Sequence, residues 1–298
     1  MEDWAETRYT LHMWTQIVGK VRLAHAPLLD HWWQVTLYVT PRCLTTSAVP
    51  YRSGAFDVEF DFVDHRLVVR GSDGGSREVP LEPMPVAEFH DRMMAALAEP
   101  RIEAPISAGP DEADPAIPFA EDYEHASYDP EVAHLFWRQL LAASRVIEEF
   151  RSHFVGKVSP VHFCWGAMDL ACTRFSGRTA PPHPGEAPNC ADWVMVEGSS
   201  RELPSSGFWP GGGGEGAFYA YAYPESDGFR DYPVGPAAAF YSGELQQFLL
   251  PYEAMWTAAD PERAVSQFLH TSYEAAAERG NWDRELLEDD PHRWSDHW

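Results

Sequence analysis

Two spacings of apolar residues alternate along this chain, and each predicts a different element. Between Thr7 and Ala26, Leu11, Trp14, Ile17, Val18 and Val21 recur at helical intervals, predicting an amphipathic helix that ends before Pro27. A second stripe of the same helix holds His12, Gln16 and Lys20, one turn apart. The aromatic and β-branched run HWWQVTLYVT reads as a strand, and Phe56, Val58, Phe60 and Phe62 then alternate with Asp57, Glu59 and Asp61. That alternation predicts antiparallel strands with one wet face, turning at Asp64 and His65 and again at Ser72 to Gly75. VAEFHDRMMAALAE returns to helical spacing.

Residues 100–118, rich in Pro, Ala and acids, read as a linker that buries little. The order then restarts. A helix opens with Asp129 as N-cap and Pro130 at its first position. VHFCWGAMDLACTRFSGR follows as one strand, with His162, Cys164, Met168, Leu170, Cys172 and Arg174 on one face and Phe163, Trp165 and Asp169 on the other. The segment ADWVMVEG leads to the glycine run of WPGGGGEG, then AFYAYAYP and AAAFYSG read as strands and PERAVSQFLHTSYEAAAERG as a helix. The expected fold is α+β: two similar helix–antiparallel sheet–helix lobes, a tandem duplication, with adjoining sheets and helices on one face. Its boundaries are an N-terminal lobe at 1–99, the linker at 100–118, a C-terminal lobe at 119–286 and a tail at 287–298.

Charge narrows the partners. With 22 Lys and Arg against 46 Asp and Glu, a formal charge of −24, nucleic acid would be repelled. No apolar run approaches membrane-spanning length and the N-terminus is acidic, so the expectation is a cytoplasmic protein with no membrane partner. The four cysteines form no CxxC pair and read as packing residues.

The glycine run lacks the Lys-Ser/Thr of a phosphate loop, places Glu215 where a cation is needed, and exits into a strand rather than a helix. It therefore reads as a strand connector, with a lid over a pocket beside Trp209 as its functional version. No nucleotide motif is present, and the cofactor is unknown. Among 13 His there is no HExxH and no pair four residues apart, so no metal ligand set is indicated, although the fold could gather His12, His31, His125, His162 or His183. GxSxG is absent, and Ser176 and Ser206 read as turn residues. Cys164 would be a nucleophile only beside a base and near solvent.

TLHMWTQIVGKVRL, the HWW run, EFDFVDHRLVV, HASYDPE and KVSPVHFCWG with TRFSGR together resemble the bacterial domain-of-unknown-function family 5996 over nearly the whole chain. The resemblance implies membership and carries no mechanism, so chemistry rests on polar residues set inside apolar patterns. The expected site is a pocket walled by Trp14, Trp33, Trp165 and Trp209 that takes a small polar or anionic molecule. His162 or His12 would move a proton, Asp169 would orient the imidazole, and Gln16, Lys20, Arg174 and Arg178 would hold the ligand, as in a hydrolase or lyase. Asp122 and His125 form a further acid–base pair on a loop that leads into the second helix. A binding module without turnover and a metal-dependent enzyme with scattered ligands stay open, and the sequence leaves the oligomeric state unknown.

Overall fold

A computed structural model describes residues 2–185, 187–211 and 216–289. Its packing divides the chain into two compact units, each assembled from separated stretches: unit 1 from 1–141, 163–168 and 185–194, unit 2 from 142–162, 169–184 and 195–298. The class is mixed α+β, with antiparallel sheets. Among the described residues no helix is long and apolar enough to cross a membrane.

Unit 1 opens with helix α1, Glu2–His25. Its predicted apolar stripe is fully buried, and in fact every residue from 10 to 22 is buried, so the polar stripe is enclosed as well. Strands β1 (Tyr38–Val39), β2 (Cys43–Thr45), β3 (Val49–Tyr51), β4 (Gly54–Asp61), β5 (Arg66–Gly71) and β6 (Ser76–Pro80) form a sheet of order β1-β2-β4-β5-β6, with β3 also paired to β4. Val58 pairs with Val69 and Phe60 with Leu67 in the β4–β5 hairpin, which turns through the Asp64–His65 positions. The alternation is therefore real. The wet face is only half wet: Asp57 and Glu59 are partly covered and paired with Arg70, and Asp61 is buried, held by Arg42 at 3.0 Å.

Helix α2 (Val86–Ala98) lies between the sheet and α1. Phe89 stacks on Trp14 at 4.5 Å and reaches Phe60 at 6.2 Å, while Trp14 also meets Tyr128 at 5.5 Å. This aromatic column ties β4, α2 and α1 into one core. Helix α3 (Pro130–Ser152) starts as predicted, with Asp129 Oδ1 accepting from the backbone N–H groups of Glu131 at 2.9 Å and Val132 at 3.0 Å. Residues 100–118 belong to unit 1, where they carry little regular structure yet bury Ile102.

Three local expectations need correction. HWWQVTLYVT is a strand only at Tyr38–Val39, because His31 and Trp32 adopt left-handed φ of 57° and 60° in a tight turn that no extended backbone can hold. The long strand predicted after Val161 is two, β7 (His162–Cys164) and β8 (Asp169–Thr173), separated by a turn at Trp165–Met168 where Met168 has φ 59°. The faces assigned across that break therefore do not continue. Ser206 sits inside a strand rather than a turn.

Unit 2 contains β8, β9 (Leu203–Trp209), β10 (Ala217–Tyr223), β11 (Phe240–Ser242) and β12 (Gln247–Pro251) in the order β11-β12-β10-β9-β8. Short helices α5 (Tyr252–Trp256) and α7 (Arg284–Leu287) accompany the long α6 (Pro261–Arg279), which buries Val265, Phe268, Leu269 and Tyr273, while α4 (Asp192–Gly198) begins in a stretch of unit 1 and ends in unit 2. The glycine run joins β9 to β10, since Trp209 pairs with Ala217 across it. It connects strands as the sequence predicts. Gly212 to Glu215 lie outside the described residues, and the lid expectation falls there.

Strand β9 has a composition ordinarily found in loops, yet it sits between β8 and β10. Gly207 explains how: a Cβ there would collide with the Leu170 carbonyl and the Tyr219 ring, so its absence lets Tyr219 of β10 cross β9 and donate its hydroxyl to Asp169 of β8.

Candidate functional site

The most developed polar arrangement within one unit lies along α1. Arg8, His12, Gln16 and Lys20 succeed one another four residues apart and are all buried, where a polar group left without a partner costs free energy. Lys20 Nζ donates to Ser107 Oγ at 2.8 Å and pairs with Asp111 Oδ2 at 2.7 Å. The Gln16 amide forms a two-bond exchange with the Asp111 backbone, donating to its carbonyl at 2.7 Å and accepting from its N–H at 2.9 Å. The stretch read as a linker thus supplies the counter-groups for two of the four. Trp165 closes over Lys20, its ring 5.5 Å from Nζ and its indole N–H on the Val35 carbonyl. The fit requires Gly19, where any Cβ would overlap the indole.

His12 Nε2 donates to the Gly166 carbonyl at 2.7 Å, which leaves the ring's lone pair on Nδ1. Burial is the main cause that depresses its pKa to about 4, and the charges of Arg8 and His125 push it the same way. His12 is therefore a neutral imidazole at pH 7. His125 stands on the loop before α3 and donates from Nδ1 to Asp122 Oδ2 at 2.7 Å. Asp122 is pinned in turn, because its Oδ1 accepts from the backbone N–H groups of Glu124 and His125, both at 3.1 Å. The carboxylate is 1% exposed and the imidazole 29%, so the bond fixes the proton on Nδ1 and leaves a lone pair on Nε2. Tyr9 faces His125 with ring centroids 5.8 Å apart, and the Arg8 guanidinium lies 4.4 Å over the same Tyr9 ring.

Arg8 is the residue that the sequence pattern left out. Its signal is the same four-residue step that links His12, Gln16 and Lys20, extended one turn back.

The other expected residues take different places. Trp14 is fully buried between Phe89 and Tyr128, which places it in the core. Trp33 is half-buried beside His31, at 5.6 Å. In unit 2, His162 is buried, and Trp209 ends β9 half-buried. Asp169 accepts from Tyr219, and burial raises its carboxyl to about 6 against that hydrogen bond. Arg174 is enclosed: its guanidinium lies 3.5 Å from the Phe150 ring centre, 4.4 Å from Tyr273 and 5.1 Å from Phe154, and it donates to the Phe150 carbonyl. Burial lowers its pKa to about 10, which still leaves it charged. Arg178 binds Glu202 at 2.7 Å and the Gly280 carbonyl at 2.6 Å, lining a pocket of about 50 Å³ with Tyr223 and Trp282, room for little more than water.

Among the described residues no three His, Cys, Asp or Glu converge as a metal ligand set. Burial raises the thiols of Cys43, Cys172 and Cys190 to about 11, so they remain protonated at neutral pH, and Cys164 is half-buried.

No curated protein matches the chain, and no solved structure matches it. One family model does, a family of unknown function, over residues 1–289. That span takes in α1 with its polar ladder, the Asp122–His125 loop and both sheets, and the chain belongs to the family of unknown function DUF5996.

Proposed function

We propose that unit 1 carries an acid–base site for a small polar or anionic molecule, with His125 as the proton acceptor, Asp122 as the carboxylate that orients it and His12 as a second imidazole. The observation that carries this reading is the 2.7 Å bond from His125 Nδ1 to a carboxylate that is itself buried and pinned by two backbone N–H groups. Such a pairing selects one tautomer, presents Nε2 as the proton-accepting atom, and holds the ring toward solvent. Hydrolysis or elimination would suit it, because both begin with proton removal from water or from carbon. In this proposal the base is His125 with Asp122; of the pair first expected, His162 and Asp169, the Asp169 carboxyl accepts from Tyr219.

Binding without turnover is the second reading, favoured by the Arg8 guanidinium, buried over the Tyr9 ring with no carboxylate paired to it among the described residues. The repeated order of helix, antiparallel strands and helix supports tandem duplication as the origin of the architecture.

Two measurements test the acid–base reading. Ring-nitrogen NMR at pH 7 is expected to show His125 as the Nδ1–H tautomer; a proton on Nε2 with a bare Nδ1 would overturn the reading. A survey of model esters, amides, phosphoesters and elimination substrates is expected to find turnover that falls by about 100-fold or more in His125→Ala. Equal rates for both proteins on every substrate turned over would do the same.

A further inference from the structure

Arg8 is held unlike the other buried cations. Lys20 has Asp111, Arg22 donates to the Thr36 carbonyl beside the Tyr38 ring, and Arg174 has the Phe150 carbonyl and three rings. Arg8 is 6% exposed, its Nε is buried with no hydrogen-bond partner, and no ion pair joins it to a carboxylate among the described residues. A guanidinium stays charged in a protein, so a buried one without a counter-ion carries an electrostatic deficit that an anion would relieve. The guanidinium overlies and hydrogen-bonds Tyr9, 42% exposed, whose ring also faces His125. The cation and the Asp122–His125 pair therefore border the same exposed ring.

We infer that this site takes a small carboxylate monoanion, with the carboxylate gripped by the Arg8 guanidinium and the rest of the molecule lying over Tyr9 toward His125. The inference rests on the acid–base reading for what happens next and on Arg8 alone for binding. The planar fork of a guanidinium matches a carboxylate with two parallel N–H···O bonds. Charge counting selects the monoanion. Arg8 supplies one positive charge and His12 beside it is neutral, so a carboxylate balances the guanidinium one to one, whereas a phosphate dianion would leave one negative charge over in a partly dry site. In a protein with 46 acids against 22 basic residues, a cation without a carboxylate partner offsets part of the repulsion that a small anion meets.

The test uses the full chain and three probes at matched ionic strength: sodium acetate, sodium benzoate and inorganic phosphate. Benzoate and acetate are expected to shift the Arg8 Nε–H resonance and the His125 ring resonances saturably, benzoate the more tightly because its ring can stack on Tyr9. Arg8→Met should weaken both carboxylates by about tenfold or more, and Arg8→Lys by less, since it keeps the charge and loses the fork. Should Arg8→Met fail to fold, Arg8→Lys with its intermediate affinity serves alone. Carboxylate binding unchanged in either folded variant, no saturable shift in the wild type, or phosphate binding as tight as benzoate would each overturn the inference. The His125 tautomer in Arg8→Met separates the two readings. An intact Nδ1–H tautomer with lost binding supports the inference, an intact tautomer with unchanged binding sinks the inference alone, and an Nε2–H tautomer already present in the wild type sinks the acid–base reading.

Discussion

Arg8 and Arg174 are both buried arginines with an Nε that finds no partner, yet their surroundings differ in kind. Arg174 in unit 2 is walled by the rings of Phe150, Phe154 and Tyr273, which supply both cation–π attraction and apolar packing for its stem. Arg8 in unit 1 has only Tyr9, an exposed ring. A polar residue within an apolar pattern is thus an ambiguous sign. The fold can complete it, as around Arg174, or leave it incomplete, as at Arg8, and only the second case points to a ligand.

The comparison can be broken at four points. Arg174→Ala empties the space between three rings and is expected to cost about 4 kcal/mol in chemical denaturation, with Arg174→Met recovering most of it. A loss under about 1 kcal/mol would show that the cage is not structural. Next, Asp111→Ala strips Lys20 of its counter-charge; the carboxylate is 27% exposed and solvent partly substitutes for it, so the expected loss is about 2 kcal/mol.

Third, the two units should respond to pH in opposite senses. Asp169 has its folded pKa raised to about 6, so the folded state holds its proton more tightly than the unfolded chain does. Its stabilising effect is complete below the unfolded value near 4 and is lost as pH rises through 6. Asp169→Asn should therefore stabilise the protein at pH 8, by up to about 3 kcal/mol, and change little at pH 3.5. His12 works the other way: with a folded pKa of about 4, its contribution is complete above pH 6.5 and is lost as pH falls toward 4. Denaturation curves from pH 4 to 8 should show the acid limb flattened in His12→Gln and the alkaline limb flattened in Asp169→Asn. Last and smallest, Arg8→Met should alter stability by no more than about 1 kcal/mol, since its internal partner, Tyr9, is exposed and can bond to water instead. A loss like that of Arg174→Ala would mean that Arg8 is structural after all.

Much of the frame was legible because it obeys simple periods. The α1 stripe, the Phe56 to Phe62 alternation and the Asp129-Pro130 helix start are each dictated locally, and each is found. What escaped was set by distant groups. Met168 breaks a strand-like run with a left-handed residue that carries no glycine or asparagine signal, and the Ser- and Gly-containing β9 becomes a strand because β8 and β10 flank it and Tyr219 needs the gap at Gly207. For the site, the polar row of α1 and the Asp122–His125 spacing were visible. That residues 107 to 111 answer Gln16 and Lys20 was not, since a Pro- and Ala-rich stretch bonds mainly through backbone and short side chains that no pattern marks.

The ladder on α1 has a geometric consequence of its own. Four residues advance a helix by about 400°, so each rung is turned about 40° from the last, and three steps sweep about a third of a revolution. Arg8, His12, Gln16 and Lys20 consequently address successive neighbours: Tyr9, Gly166, the Asp111 backbone, then Ser107 with the Asp111 carboxylate. A helix so engaged behaves like a screw seated in its thread. It cannot rotate or slide by one residue without losing the His12, Gln16 and Lys20 rungs together, which fixes where Arg8 stands relative to His125 far more firmly than either side chain could alone.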